Sequence, residues 1–144
     1  MVTKKLSLFT LLVFLSAAAG CNSGYDGLIP VTGKVTFDGG LPPAGGYVTF
    51  MPVERVEGKP SRPARGAFNV DGVYTATSFR EGDVVYPGKY NVSVFCNKGE
   101  VDYSKKDPFA EASYVDKNYQ GQELLIEEDS DEVSFDLDVP LKKG

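Results

Sequence analysis

From residue 31 to residue 139 the apolar side chains come in short runs of period two, and turn residues separate the runs. A run of this kind buries one face of an extended strand, because successive side chains point to opposite sides of the pleat. In "VTGKVTF" (31–37), Val31, Val35 and Phe37 share a face, with Thr32, Lys34 and Thr36 opposite. "DGG" at 38–40 then turns the chain, and "YVTFM" (47–51) places Val48 together with Phe50. "AFNV" and "VYTATSF" flank Asp71-Gly72, a hairpin signal because glycine accepts the positive φ of a tight turn. "YPGKYNVSVFC" puts Tyr90, Val92, Val94 and Cys96 on one face. "ELLIEE" (123–128) and "EVSFDLDV" (132–139) read as a last hairpin, with Val133, Phe135, Leu137 and Val139 aligned in its second strand.

About seven one-sided strands, with no long helical period, predict an all-β domain: a single antiparallel seven-stranded β-sandwich. The 144 residues suffice for one domain with a core, not two. The formal charge of −5 argues against nucleic acid as a partner, since phosphate binding needs a concentrated basic surface. With no His in the chain and only two Cys, no Cys/His metal site can be assembled.

The first twenty residues carry a different pattern. Lys4 and Lys5 precede an apolar run from Leu6 to Leu15, and Ala17, Ala18, Ala19 and Gly20 supply small side chains before Cys21. This is the layout of a secretory signal with a cut site, and the run is shorter than the ~20 apolar residues a spanning helix needs. "AAGC" resembles the lipobox of bacterial lipoproteins, with Ala18 where that family favours Leu. The resemblance implies cleavage before Cys21, covalent lipid on its thiol, and localisation in the cell envelope, anchored at the outer membrane or the periplasmic face of a membrane. The expected organisation is a signal peptide over 1–20, a lipidated tether over 21–30, the domain over 31–140 and a tail over 141–144. Loss of residues 1–20 leaves 124 residues and, with Lys4 and Lys5 gone, a charge of −7. With Cys21 lipidated, Cys96 has no intramolecular partner and is expected as a small, buried, inert thiol.

The order "VTGKVTFDGGLPPAGGYVTFMP", "GAFNVDGVYTATSF", "GDVVYPGKYNVSVF" resembles the carboxypeptidase regulatory-like domains, which share a prealbumin (transthyretin)-like sandwich. It is similar in particular to small envelope lipoproteins built from one such domain, over about residues 29 to 140. The resemblance implies fold, export and anchoring. It does not imply catalysis, because a fold of this kind hosts many roles. Relatives of this fold that hydrolyse uric-acid derivatives rely on histidines and a C-terminal tetrapeptide; this chain has no His and ends "LKKG". Adhesin repeats of similar fold crosslink a buried Lys to an Asn or Asp. Here Lys34, Asp136 and Asp138 fall on the polar side of their strands and should face water. The protein is therefore expected not to be an enzyme, and to need no cofactor beyond the lipid on Cys21.

Three segments are candidates for binding. The acidic run "EEDSDE" (127–132) lacks the spacing of a calcium loop and reads as a solvated tip. The loop 53–66 has Arg55, Lys59, Arg62 and Arg65, diluted by Glu54 and Glu57. The connection 97–122 is long for a compact domain, and such connections are often functional. It carries Tyr103, Phe109, Tyr114 and Tyr119, whose rings can stack on a sugar or peptide or else cover an edge of the sandwich. Asp107-Pro108 should start a short helix there. The expected function is a monomeric, non-catalytic, lipid-anchored module that binds an envelope protein or polysaccharide. The alternative is a carrier with a small ligand between the 97–122 loop and the sheet.

Overall fold

A computed structural model describes residues 27–78 and 85–143 of the chain. Cys21, the segment 1–20 and most of the 21–30 tether lie outside the described residues. The elements in chain order are β1 (Val31–Phe37), β2 (Gly46–Pro52), β3 (Ala64–Phe68), β4 (Val73–Thr75), β5 (Gly88–Cys96), α1 (Pro108–Glu111), β6 (Gln122–Ile126), β7 (Val133–Ser134) and β8 (Leu137–Val139). Strands dominate, and the only α-helix among the described residues is one turn long. The protein is all-β.

One sheet runs in the order β6-β5-β2-β3-β4-β1-β7, with β8 also on β1. Laid flat, its two ends would stand about 29 Å apart, at ~4.8 Å per strand. The segment 127–132 joins β6 at one end to β7 at the other and reaches at most about 25 Å when fully extended. The sheet must therefore curl, and the core fills the inside of the curl. Val31, Val35, Val48, Phe50, Ala64, Ala76, Val92 and Cys96 are fully buried there, each on the face that alternation assigns it. Two turns follow their local chemistry. At 38–39, Asp38 and Gly39 take φ of 48° and 77° between the mutual Phe37–Gly40 hydrogen bonds of 2.9 Å, which is a two-residue hairpin of the type that suits twisted strands. Gly72 has φ 78°, and a Cβ there would stand 2.1 Å from the Val35 carbonyl oxygen, so the β3–β4 hairpin requires glycine.

Two expectations about pairing are corrected. The sheet is mixed rather than antiparallel, because β7 and β8 both pair with β1 in parallel. The expected hairpin of 123–128 with 132–139 does not form: β6 pairs β5, while the following run crosses the opening of the curl to β1. Among the described residues the strands number eight, since the run 132–139 is interrupted. At the interruption the Asp136 carboxylate accepts the Lys34 backbone N–H at 2.8 Å, and the Phe135 carbonyl accepts the Tyr74 hydroxyl. Side chains thus take ladder positions without shifting the register, which is the same on both sides of the break. Lys34, Asp136 and Asp138 are exposed, on the polar side where alternation puts them. Backbone pairing reaches from Ile29, bonded to Val85, to Lys142, bonded to Tyr114.

Buried hydroxyls and a buried thiol should make the fold alkali-sensitive. Burial pushes the Tyr90 hydroxyl from 10.0 up to about 12, and pushes Tyr74 up as well, with the charge of Asp136 adding to the effect. Burial also raises the Cys96 thiol. The folded state keeps these protons after the unfolded chain has begun to release them, so stability falls as pH rises through that interval. Stability should be flat in these groups up to about 9, where the unfolded thiol begins to ionise, and decline more steeply from the unfolded tyrosine value of 10.0 toward about 12. Tyrosine absorbance recorded against pH should show the buried rings ionising together with unfolding; smooth ionisation of all tyrosines with secondary structure intact would contradict this packing.

Candidate binding cleft

The connection 97–122 is built rather than slack. Asp102 accepts the backbone N–H and hydroxyl of Ser104, and Asp116 accepts the Asn118 N–H. Asp107 caps α1 by accepting the Ala110 N–H at 3.1 Å, with Pro108 in the first turn, as its sequence predicts. Farther along, Tyr114 N–H bonds the Cys96 carbonyl, while Asp116 N–H bonds the Pro140 carbonyl and Lys142 N–H that of Tyr114. Residues 113–116 therefore sit between the ends of β5 and β8 and close that pole of the curl. Lys142 adds a bond from its ammonium to the Ala110 carbonyl and a 3.4 Å ion pair with Glu111.

This scaffolding separates the four predicted aromatics. Tyr114 and Tyr119 are half-buried and pack against the core. The Tyr119 hydroxyl is buried without a hydrogen-bond partner among the described residues. Tyr103 and Phe109 are 77% and 53% exposed and meet edge to face, with centroids 6.3 Å apart and planes at 89°. Two rings serve the core and two face outward.

Phe109 and Val101 form one side of an open cleft of about 630 Å³ whose other side is the outer face of the sheet. There Tyr47 of β2 and Phe95 of β5 are cross-strand neighbours, stacked at 5.0 Å and 19°. The Arg65 guanidinium lies 4.2 Å from the centroid of the Tyr47 ring. Asn97 and Glu100 supply the polar lining, and Gly45, Gly46 and Gly99 leave room between the walls. Gly46 has a structural reason, since a Cβ there would meet the Phe95 carbonyl oxygen at 2.0 Å; at Gly99 a Cβ would meet nothing within 4 Å. Tyr47 and Phe95 escape a reading that looks only for core faces. Their signal is an aromatic on the polar side of an alternating strand.

The cleft and the arriving chain occupy opposite ends of the β2–β5 ladder. Gly46 pairs Cys96 at the cleft end, and Pro52 pairs Tyr90 at the other. At that other end Ile29 bonds Val85, and the Lys59 ammonium lies over Tyr86. The acidic segment 127–132 follows Ile126, which pairs Gly88, so it too lies at the end where the chain arrives. Six residue steps at ~3.4 Å separate the two poles by roughly 20 Å.

Among the described residues no group of three or more His, Cys, Asp or Glu side chains is placed to hold a metal ion. No helix among them is long and apolar enough to cross a membrane. Comparison with known proteins found no matching family model, no matching curated protein and no matching solved structure.

Proposed function

We propose that this protein is a non-catalytic binding module of the cell envelope, held to a membrane by lipid on Cys21, and that it engages its partner through the cleft beside Phe109. In this reading the curled sheet is a variant of the prealbumin-like sandwich of the carboxypeptidase regulatory-like domains. The order of its Gly and Pro motifs supports that assignment. One observation carries the functional reading: the cleft opens at the pole away from the end where the chain arrives from Cys21. The tether 21–30 extends at most roughly 30 Å, so the domain works close to the membrane, and a site on its far pole is the one a partner can reach.

The second reading, a carrier of a small ligand, draws on the cleft's volume of about 630 Å³, which is ordinary for small-molecule sites of ~300–1,000 Å³. Its openness favours a ligand that belongs to something larger and is held from one side.

Crosslinking on intact cells with the full-length protein tests the site. Tyr103→Ala, Phe109→Ala and a cleft-filling Gly99→Trp should each lower partner recovery while melting within a few degrees of wild type, because these positions are exposed or open. Tyr114→Ala and Tyr119→Ala should instead lower the melting temperature, by about 2–4 kcal/mol of stability, as truncated core rings do. Unchanged recovery for both Phe109→Ala and Gly99→Trp would reject the cleft as the binding site.

A further inference from the structure

We infer that the cleft takes an organic cation of the guanidinium type, held between the ring faces of Phe95 and Phe109 with Glu100 as its counter-charge. The inference rests on the binding-module reading above and names the ligand class of that same site. Three observations lead to it.

The first is charge. Among the described residues Glu100 is the one charged side chain that lines the cleft, and the whole chain carries −5. An anionic ligand would meet a carboxylate and the negative faces of aromatic rings with no Lys or Arg among the lining residues to offset them. A neutral sugar could use the ring faces but would make no use of the charge on Glu100.

The second is the stack on the sheet. Arg65, Tyr47 and Phe95 come from adjacent strands β3, β2 and β5, and the guanidinium already sits 4.2 Å over Tyr47. One face of Phe95 is taken by Tyr47 at 5.0 Å, so what it presents to the cleft is its opposite face and edge. A planar cation entering the cleft would add to the stack at the end remote from Arg65. Guanidinium suits this position because it is flat, weakly hydrated and stacks on aromatic faces.

The third is the opposite wall. Tyr103 meets Phe109 edge to face at 89°, and Phe109 lines the cleft together with Phe95. With glycine at 45, 46 and 99, no side chain from those positions stands between the two rings. Glu100 is exposed, so its attraction is screened by salt, and affinity should weaken as ionic strength rises.

Calorimetric titration of the full-length protein in detergent micelles, at low salt, tests the assignment with N-acetyl-arginine amide as probe. Saturable binding is expected. The citrulline counterpart, equal in shape but uncharged, should bind about tenfold more weakly, and Glu100→Gln should weaken the arginine probe by about two- to fivefold. Gly99→Trp should abolish binding without changing the melting temperature. Equal affinity for arginine and citrulline amides, or binding untouched by Glu100→Gln, would overturn the cation assignment. So would binding of chitotriose in place of the arginine probe, which would make the cleft a glycan site. If no probe binds and Gly99→Trp still loses its crosslinked partner on cells, the cation assignment alone falls. If no probe binds and the crosslink is unchanged, the cleft falls as a site together with its ligand.

Discussion

Metabolic labelling with radioactive palmitate should mark the wild-type protein and leave Cys21→Ser unlabelled, and the unlabelled chain should move from the detergent-dependent fraction to the soluble one. The physical basis is additive burial of acyl chains, about 0.8 kcal/mol per CH₂. A single myristoyl chain binds a bilayer only marginally, whereas the two or three chains implied by the lipobox resemblance anchor stably. The described residues offer no long apolar helix as an alternative anchor. Intact mass identifies the other source of retention, since an uncleaved segment 1–20 would still carry the run from Leu6 to Leu15. Label incorporated equally into Cys21→Ser, or equal detergent dependence of the two chains with residues 1–20 removed from both, would sink the lipoprotein reading.

Tyr74→Ala should cost about 3–5 kcal/mol, a large part of the ~5–15 kcal/mol by which a domain of this size is stable. Tyr74 is 1% exposed and its ring packs against Phe50 at 6.0 Å. Two glycines make its place. A Cβ on Gly66 would stand 2.8 Å from the ring, and one on Gly33 would stand 2.7 Å from the hydroxyl. That hydroxyl donates to the Phe135 carbonyl, where the β7–β8 run is interrupted. Truncation therefore opens a cavity in the core and removes a link between β4 and the run that closes the curl. The midpoint of thermal unfolding should fall by roughly 10–25 °C. Tyr74→Phe keeps the ring and leaves the Phe135 carbonyl unpaired by Tyr74, so a smaller loss of about 1–3 kcal/mol is expected. An alanine variant that melts within two or three degrees of wild type would show that Tyr74 does not hold the core as described.

The cleft was partly legible from the chain. The length of 97–122 and its aromatics point to a segment that lines it, and Asp107-Pro108 marks the helix that carries Phe109. The division of the four rings was not legible. Tyr114 and Tyr119 look no different in sequence from Tyr103 and Phe109. What separates them is that residues 113–116 are drawn in by backbone bonds to Cys96 and Pro140, partners far away along the chain. Tyr47 and Phe95 stand 48 residues apart in sequence and meet only because β2 and β5 pair in one register. The cleft arises from that pairing.

Strand positions, inward faces and tight turns could all be read from the residues themselves. Alternation sets which side of a pleat is buried, and Asp38-Gly39 and Gly72 take backbone angles that few other residues tolerate. These are local properties, decided within a few residues of one another. Neighbour and direction are different. The run 132–139 is apolar on one side whether it returns beside β6 or crosses to β1, and either partner would satisfy its backbone groups. The sheet curls until its ends are within reach of residues 127–132, and crossing to β1 in parallel lets Val133, Leu137 and Val139 cover the open side of the core. Alternation names the face to be buried, while closure of the whole sheet around its core selects the strand that lies beside it.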